Sequence, residues 1–134
     1  METLFTKIIE GKIPSVPLYR DQECLVILDI APVNKGHVLV ISTSPYPTIG
    51  SCPPATLAHL MAVVQKVDDV LRSRLGAEAT NIVINNGPAA GQEVPHLHIH
   101  VIPRYRDDGK HLIFEKEKYQ EREMALLGEK LHFS

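Results

Sequence analysis

The chain has 134 residues, 44% hydrophobic and 22% charged, with a formal net charge of -2. That length supports one buried core and is short for two, so a single domain over residues 1–134 is expected. The near-neutral charge provides no long-range field for a polyanion, which argues against a nucleic acid polymer or an anionic membrane surface as the main partner and leaves room for a small anionic ligand in a local pocket.

Met1 to Glu10 mixes Glu2, Lys7 and Glu10 into a short apolar pattern unlike a secretory signal, and no apolar run approaches the ~20 residues of a membrane span. Leu4, Phe5, Ile8 and Ile9 lie at helical spacing over Thr3 to Glu10, where Gly11 and Pro14 end the pattern. Val16 to Arg20 and Glu23 to Asp29 read as a hairpin around Asp21-Gln22. Cys24, inside that second apolar run, and Cys52, beside prolines, read as free thiols, so a reducing, cytoplasmic setting is expected. Pro32, Asn34 and Gly36 punctuate a loop before His37 to Thr43, whose continuous apolar run suits a buried strand.

From Pro53 to Leu75, Leu57, Leu60, Met61, Val64, Val67, Leu71 and Leu75 form one helical stripe, with Ser51 or Thr56 as the expected cap and Gly76 as the stop. Asn81 to Asn86 reads as a fourth strand, followed by the loop Gly87 to Gln92. The fifth strand holds His96-Leu97-His98-Ile99-His100-Val101-Ile102, and the last part carries an amphipathic tail helix over about 113–131 with Met124, Leu127 and Leu131 as its stripe. Five strands with short connections and helices at separate points predict an antiparallel α+β domain rather than a doubly wound parallel sheet.

The histidine run is the strongest chemical signal. A strand alternates its faces, so His96, His98 and His100 share one row, ~7 Å apart, while Leu97, Ile99 and Val101 form the buried row opposite. Imidazole titrates nearest neutral pH, so such a row suits nucleophilic attack, proton transfer or metal binding. The plain alternative is a sheet edge with solvated histidines.

Several motifs in order resemble the histidine triad (HIT) superfamily of nucleotide hydrolases and transferases: Phe5-Thr6-Lys7-Ile8-Ile9 with Lys12-Ile13-Pro14-Ser15, Leu28-Asp29-Ile30 through Gly36-His37-Val38-Leu39-Val40, Asn85 to Gln92, the triad, and Val101-Ile102-Pro103-Arg104. The likeness runs over about residues 3–106. It implies a HIT-like fold, a five-stranded antiparallel sheet with one long helix and a C-terminal helix, pairing as a homodimer through one continuous sheet. It also implies attack by His98 on the α-phosphate of a dinucleoside polyphosphate or nucleoside phosphoramidate, giving a nucleotidyl-histidine that water hydrolyses.

By the same resemblance the carbonyl of His96 sets the tautomer of His98, His100 faces the phosphate oxygens and leaving group, and His37 joins His96 in a buried supporting pair. Asp29 would take the ribose hydroxyls, with Ile30 beside it. Asn85, Gly91 and Gln92 would supply donors to the phosphates, and Phe5, Ile8 and Ile27 or Ile30 an apolar slot for a base, purine favoured. Arg104 is weighed between a distal phosphate and solvent. Mg²⁺ can accompany the substrate, and no cofactor is expected to be tightly bound.

One departure stands out. Bacterial relatives carry a Cys-x-x-Cys pair and a further histidine that bind structural zinc with the first triad histidine, whereas Thr3, Thr6 and Pro45 occupy those positions here. An alcohol is a poor substitute for thiolate, so no structural zinc is expected. Two other classes fit parts of the pattern: a non-catalytic purine-nucleotide-binding or signalling module, and a metalloenzyme using His-x-His as ligands.

Overall fold

The computed structural model describes all 134 residues. Helix α1 (Leu4–Ile9) begins at Thr3, whose hydroxyl accepts from Thr6 N–H while the Thr6 hydroxyl accepts from Thr3 N–H. This reciprocal cap satisfies two backbone donors that a six-residue helix would otherwise leave open. Strands β1 (Pro17–Arg20) and β2 (Cys24–Leu28) form the expected hairpin. Asp21 shapes its turn by accepting from Glu23 N–H and Cys24 N–H.

Strand β3 (Val38–Ser42), helix α2 (Pro54–Leu75), strand β4 (Ala79–Val83), strand β5 (His98–Arg104) and helix α3 (Glu123–Leu131) follow. The sheet is wholly antiparallel in the order β1-β2-β3-β5-β4, which confirms the α+β, HIT-like architecture. No helix is long and apolar enough to cross a membrane.

Alternation divides the sheet into two faces. Cys24, Val26, Val38, Val40, Leu97, Ile99 and Val101 point to α2 and join its Leu60, Val63, Val64, Val67 and Leu71 in the main core. Leu25, Ile27, Leu39 and Ile41 point the other way and are covered by Phe5 of α1. The α2 helix ends at Gly76 in the left-handed conformation (φ 74°), as expected. Gly36, before β3, also needs its positive φ of 97°, and a Cβ there would run into Leu75 Cδ2.

Several expectations are corrected. The cap of α2 is Pro53, with no side-chain bond; Thr56 Oγ1 instead donates to Glu23, and Ser51 Oγ donates to the Thr48 carbonyl. Met61 and Leu75 are half exposed rather than central to the stripe, and Val63 is buried in their place. Strand β4 begins two residues earlier and stops at Val83, because Ala79 and Thr80 pair with Arg104 and Pro103. The tail is helical only over Glu123–Leu131, not from residue 113. Leu112-Ile113-Phe114 are consecutive apolar residues without helical spacing, and the chain turns through a left-handed Arg122 (φ 69°) before Glu123 accepts from Gln120 N–H. Residues 109–134 are exposed throughout.

Candidate active site

Backbone register decides how the histidines meet. Leu39 pairs with His100 and Ile41 with His98, so His37, just before β3, lies diagonal to His100, while His96 lies at the other end beside Ser42. His37 Nε2 is 2.9 Å from His100 Nδ1. The expected His37–His96 pair is therefore absent, since the two rings sit at opposite ends of the β3–β5 ladder.

Hydrogen bonding assigns every ring proton. A carbonyl oxygen only accepts, so His98 Nδ1–H donates to the His96 carbonyl at 2.7 Å and leaves the Nε2 lone pair bare. His96 Nε2–H donates to the Ser42 carbonyl at 2.7 Å, and its Nδ1 accepts from the Thr3 hydroxyl, also at 2.7 Å. Val33 N–H donates to His37 Nδ1 at 3.1 Å, which puts the His37 proton on Nε2. That proton goes to His100 Nδ1 rather than to Asp29 Oδ2, 3.6 Å away, and His100 thereby carries its own proton on Nε2.

Burial holds all four rings below the ordinary imidazole value, so the neutral forms used in this assignment dominate at pH 7. His100 is pushed down to about 4, first by burial and then by the neighbouring imidazoles of His98 and His37. The rings of His98 and His100 stand 5.1 Å apart in an edge-on arrangement with 61° between their planes, closer than the strand repeat alone suggests. Phe5 packs edge-on against His98 at 4.8 Å and His96 at 5.6 Å.

A cavity of about 400 Å³ opens over this row. His37, His98 and His100 line it with Asp29, Asn85 and Gly91, and Phe5, Ile8, Ile27 and Ile30 form an apolar wall. Asp29 keeps one oxygen on Ala31 N–H and lies at the cavity with the other. Ile30, 96% exposed, stands at the rim.

His96 is apart from this group: it is fully buried between Thr3 and Ser42 and reaches the cavity only through its carbonyl's bond to His98. Gln92 is also absent from the wall. Its side chain accepts from Gly87 N–H and donates to the Pro47 carbonyl, which pins the loop instead. Arg104 is absent from the cavity wall and, with its side chain 21% exposed, is held by Asp108, Asn81 and the Lys110 carbonyl. Sequence reasoning missed Ile13, Pro14, Ser15, Glu93 and Val94 in the wall; only the segment Lys12 to Ser15 stood within a noted motif.

Two groups of side chains offer ligand atoms within 4.8 Å of one another, Asp29 with His37 and His100, and Asp21 with Cys24 and His59. In the first, an ion would have to displace the His37–His100 hydrogen bond. At the zinc-ligand positions of bacterial relatives the residues do not suit the metal: the Thr3 and Thr6 hydroxyls cap α1, the Thr3 hydroxyl also donates to His96 Nδ1, and a neutral alcohol lacks the thiolate charge that zinc needs.

Comparison with known proteins agrees with this geometry. The chain is 44% identical over 115 residues to a HIT-like protein of Methanocaldococcus jannaschii, covering 86% of this chain and 88% of that one. It is 40% identical over 107 residues to the Arabidopsis thaliana adenylylsulfatase HINT3, covering 80% of this chain and 54% of the relative. In Schizosaccharomyces pombe it is 36% identical to adenosine 5'-monophosphoramidase hnt1, covering 81% and 78% of the two chains, and 39% identical to an asymmetrical bis(5'-nucleosyl)-tetraphosphatase, covering 67% and 50%. A solved HIT-family structure from Bacillus subtilis superposes with a TM-score of 0.88 at 31% identity, covering 98% of this chain and 95% of that one. With the family model described as HIT domain matching residues 10–107, over a fold and histidine row of this kind, the chain belongs to the HIT domain family.

Proposed function

We propose that this chain is a nucleotide hydrolase or nucleotidyl transferase that cleaves at the α-phosphate of dinucleoside polyphosphates or nucleoside phosphoramidates through a nucleotidyl-histidine on His98. The observation that carries this reading is the bare Nε2 of His98, obtained because its Nδ1–H is held by the His96 carbonyl beside an open cavity. A neutral imidazole is a nucleophile at pH 7 without deprotonation, and burial favours that form. The names of the plant and yeast relatives, hydrolases of nucleotide substrates, support the same class.

In the first step His98 Nε2 bonds to the α-phosphorus as the bond to the leaving group breaks, and the charge on the imidazolium is met by the His96 carbonyl. His100 Nε2–H faces the phosphate oxygens and leaving-group bridge, where a fixed donor stabilises developing charge. Water then attacks phosphorus as the bond from phosphorus to Nε2 breaks, which returns His98 to its neutral Nδ1–H form and releases the proton of the water to solvent. Asp29 takes the ribose hydroxyls, Asn85 and Gly91 the phosphates, and Phe5, Ile8, Ile27 and Ile30 the base, with a purine favoured by the apolar wall. Mg²⁺, where present, arrives with the substrate. Trapping a labelled nucleotide tests this reading: the label is expected on His98, and its absence there under conditions of turnover overturns covalent catalysis. A panel of diadenosine polyphosphates and adenosine phosphoramidates selects the leaving group.

Three accompanying readings belong to the same proposal. The protein is a cytoplasmic homodimer: edge strand β4 exposes Ile82, α2 exposes Met61, and the nine-residue α3 has no buried side chain, so an isolated copy leaves it without the packing that a short helix needs. A monomer mass in light scattering at micromolar concentration rules the dimer out. The protein holds no structural zinc, because Thr3 and Thr6 stand at the ligand positions. Elemental analysis finding one zinc per chain, or a melting temperature lowered by chelator, overturns that reading.

A further inference from the structure

His37 precedes β3, and its ring is oriented by the loop that leads into it. The Asn34 carbonyl accepts from His37 N–H at 3.0 Å, and Val33 N–H donates to His37 Nδ1. Asn34 fastens this loop to the rest of the molecule. Its Nδ2 gives one N–H to the Pro103 carbonyl on β5 and the other to Asp108 Oδ2, both at 2.9 Å.

Asp108 is itself fixed from several sides. Arg104 grips it in two places, Nε to Oδ2 at 2.8 Å and Nη2 to Oδ1 at 3.0 Å. Tyr105 N–H and Lys110 N–H donate to its two oxygens, and Arg104 also donates to Asn81 Oδ1. The Asp108 side chain is 8% exposed, although the chain beyond it lies open to solvent. With Arg104 beside it the carboxyl stays well below the usual carboxylate range, so it remains an acceptor through any working pH.

We propose that Asn34 and Asp108 are positioning residues: they tie the Asp29–His37 loop to β5, hold Val33 N–H on His37 Nδ1, and thereby determine which nitrogen of His100 presents a proton to the substrate. The chemistry follows from the donor count. If Val33 N–H withdraws, His37 is free to carry its proton on Nδ1 and offer a bare Nε2 to His100. His100 then turns its proton onto Nδ1 to meet it, and a lone pair instead of an N–H faces the phosphate. No proton leaves the pair; each moves to the other nitrogen of its own ring. Only the kinetic part of this inference rests on the nucleotidyl-transfer reading, and the proton positions stand without it.

The test compares Asn34→Ala and Asp108→Asn with wild type, using Asn81→Ala as a control that removes an Arg104 contact while sparing the Asn34–Asp108 bond. Long-range proton–nitrogen correlation spectra of the imidazoles read the tautomers without substrate, and steady-state hydrolysis reads the consequence. Wild type and Asn81→Ala are expected to show Nε2–H at His37 and His100. Asn34→Ala is expected to mix in the Nδ1–H form at both rings and to lose kcat by about 10- to 100-fold with KM nearly unchanged, as for a donor moved out of place. Asp108→Asn, which keeps one acceptor oxygen, is expected to fall between. A purely structural role lowers the melting temperature but leaves the tautomers alone, so wild-type spectra in both variants overturn the proposal. If Asn34→Ala does not fold, Asp108→Asn decides. If wild type hydrolyses none of the nucleotides, the nucleotide reading fails, and the spectra still judge the clamp.

Discussion

On one side of β5, Ile99 and Val101, with Leu97 just before the strand, lie beneath the 22-residue α2 and take part in a 14-residue core; on the other, His98 and His100 lie near the six-residue α1, whose Phe5 anchors a five-residue cluster. The backbone is shared and the side chains alternate, so the difference lies in the cover. A long helix closes one face completely, and a short one leaves part of the other face open as a cavity. Stability is concentrated on the closed face and chemistry on the open one, within one strand whose rigid core fixes the angle at which the imidazoles stand.

The division can be broken by substitution on either side. His98→Ala removes the nucleophile, and turnover is expected to fall on the order of 10⁴-fold or more while nucleotide binding survives, measured by hydrolysis and equilibrium binding on one preparation. His100→Ala is expected to cost roughly 10² to 10³ in kcat through lost charge stabilisation, with the His98 adduct still forming slowly. Leu60→Ala, on the closed face and fully buried, should instead lower unfolding free energy by about 2–5 kcal/mol in denaturant titration and leave kcat per folded molecule near wild type. A large kcat loss in Leu60→Ala at a temperature where it stays folded breaks the division.

Protonation sharpens the contrast, because the imidazoles on the two sides titrate with opposite sign. The open-face imidazoles have folded pKa values below 6.5, so the unfolded chain binds protons that the folded one refuses, and stability falls as pH drops below 6.5, for His100 down to about 4. Activity should accordingly persist below pH 6.5, its acidic limb following the depressed value of His98. On α2, His59 is raised above 6.5 by its 2.6 Å bond to Asp21, so its contribution is full below 6.5 and is lost as pH rises through the raised value. His59→Gln should abolish that small alkaline-side loss and leave the imidazole loss between pH 6.5 and about 4 intact, while weakening the further loss below that range, where Asp21, held down by His59, takes up its proton; melting temperature across pH reads all three.

Much of this arrangement is legible in the residues. Period-2 alternation separates His98 and His100 from Leu97, Ile99 and Val101, and helical spacing identifies most of the α2 contact, since both depend only on local geometry. What needs register is not legible: the pairing of Leu39 with His100 gives His37 to His100 and leaves His96 to Ser42 and Thr3, and a single chain carries no signal for that offset. The start of β4 escapes for the same reason, because Ala79 and Thr80 are strand residues only through their partners on β5. Arg104, which by itself suggests a phosphate ligand, is engaged by an aspartate four residues on, a contact that local spacing allows and only the turn at 105–108 determines.

The proton assignments at the four histidines have an entropic meaning. Four neutral imidazoles free to choose either nitrogen would share about sixteen arrangements, worth at most roughly RT ln 16, or ~1.6 kcal/mol. Here Val33 N–H and the carbonyls of His96 and Ser42 leave one arrangement among them. The selection is made during folding by backbone groups that cannot change their donor or acceptor character, so a substrate entering the cavity meets a lone pair and a proton already sorted and has no disorder to remove.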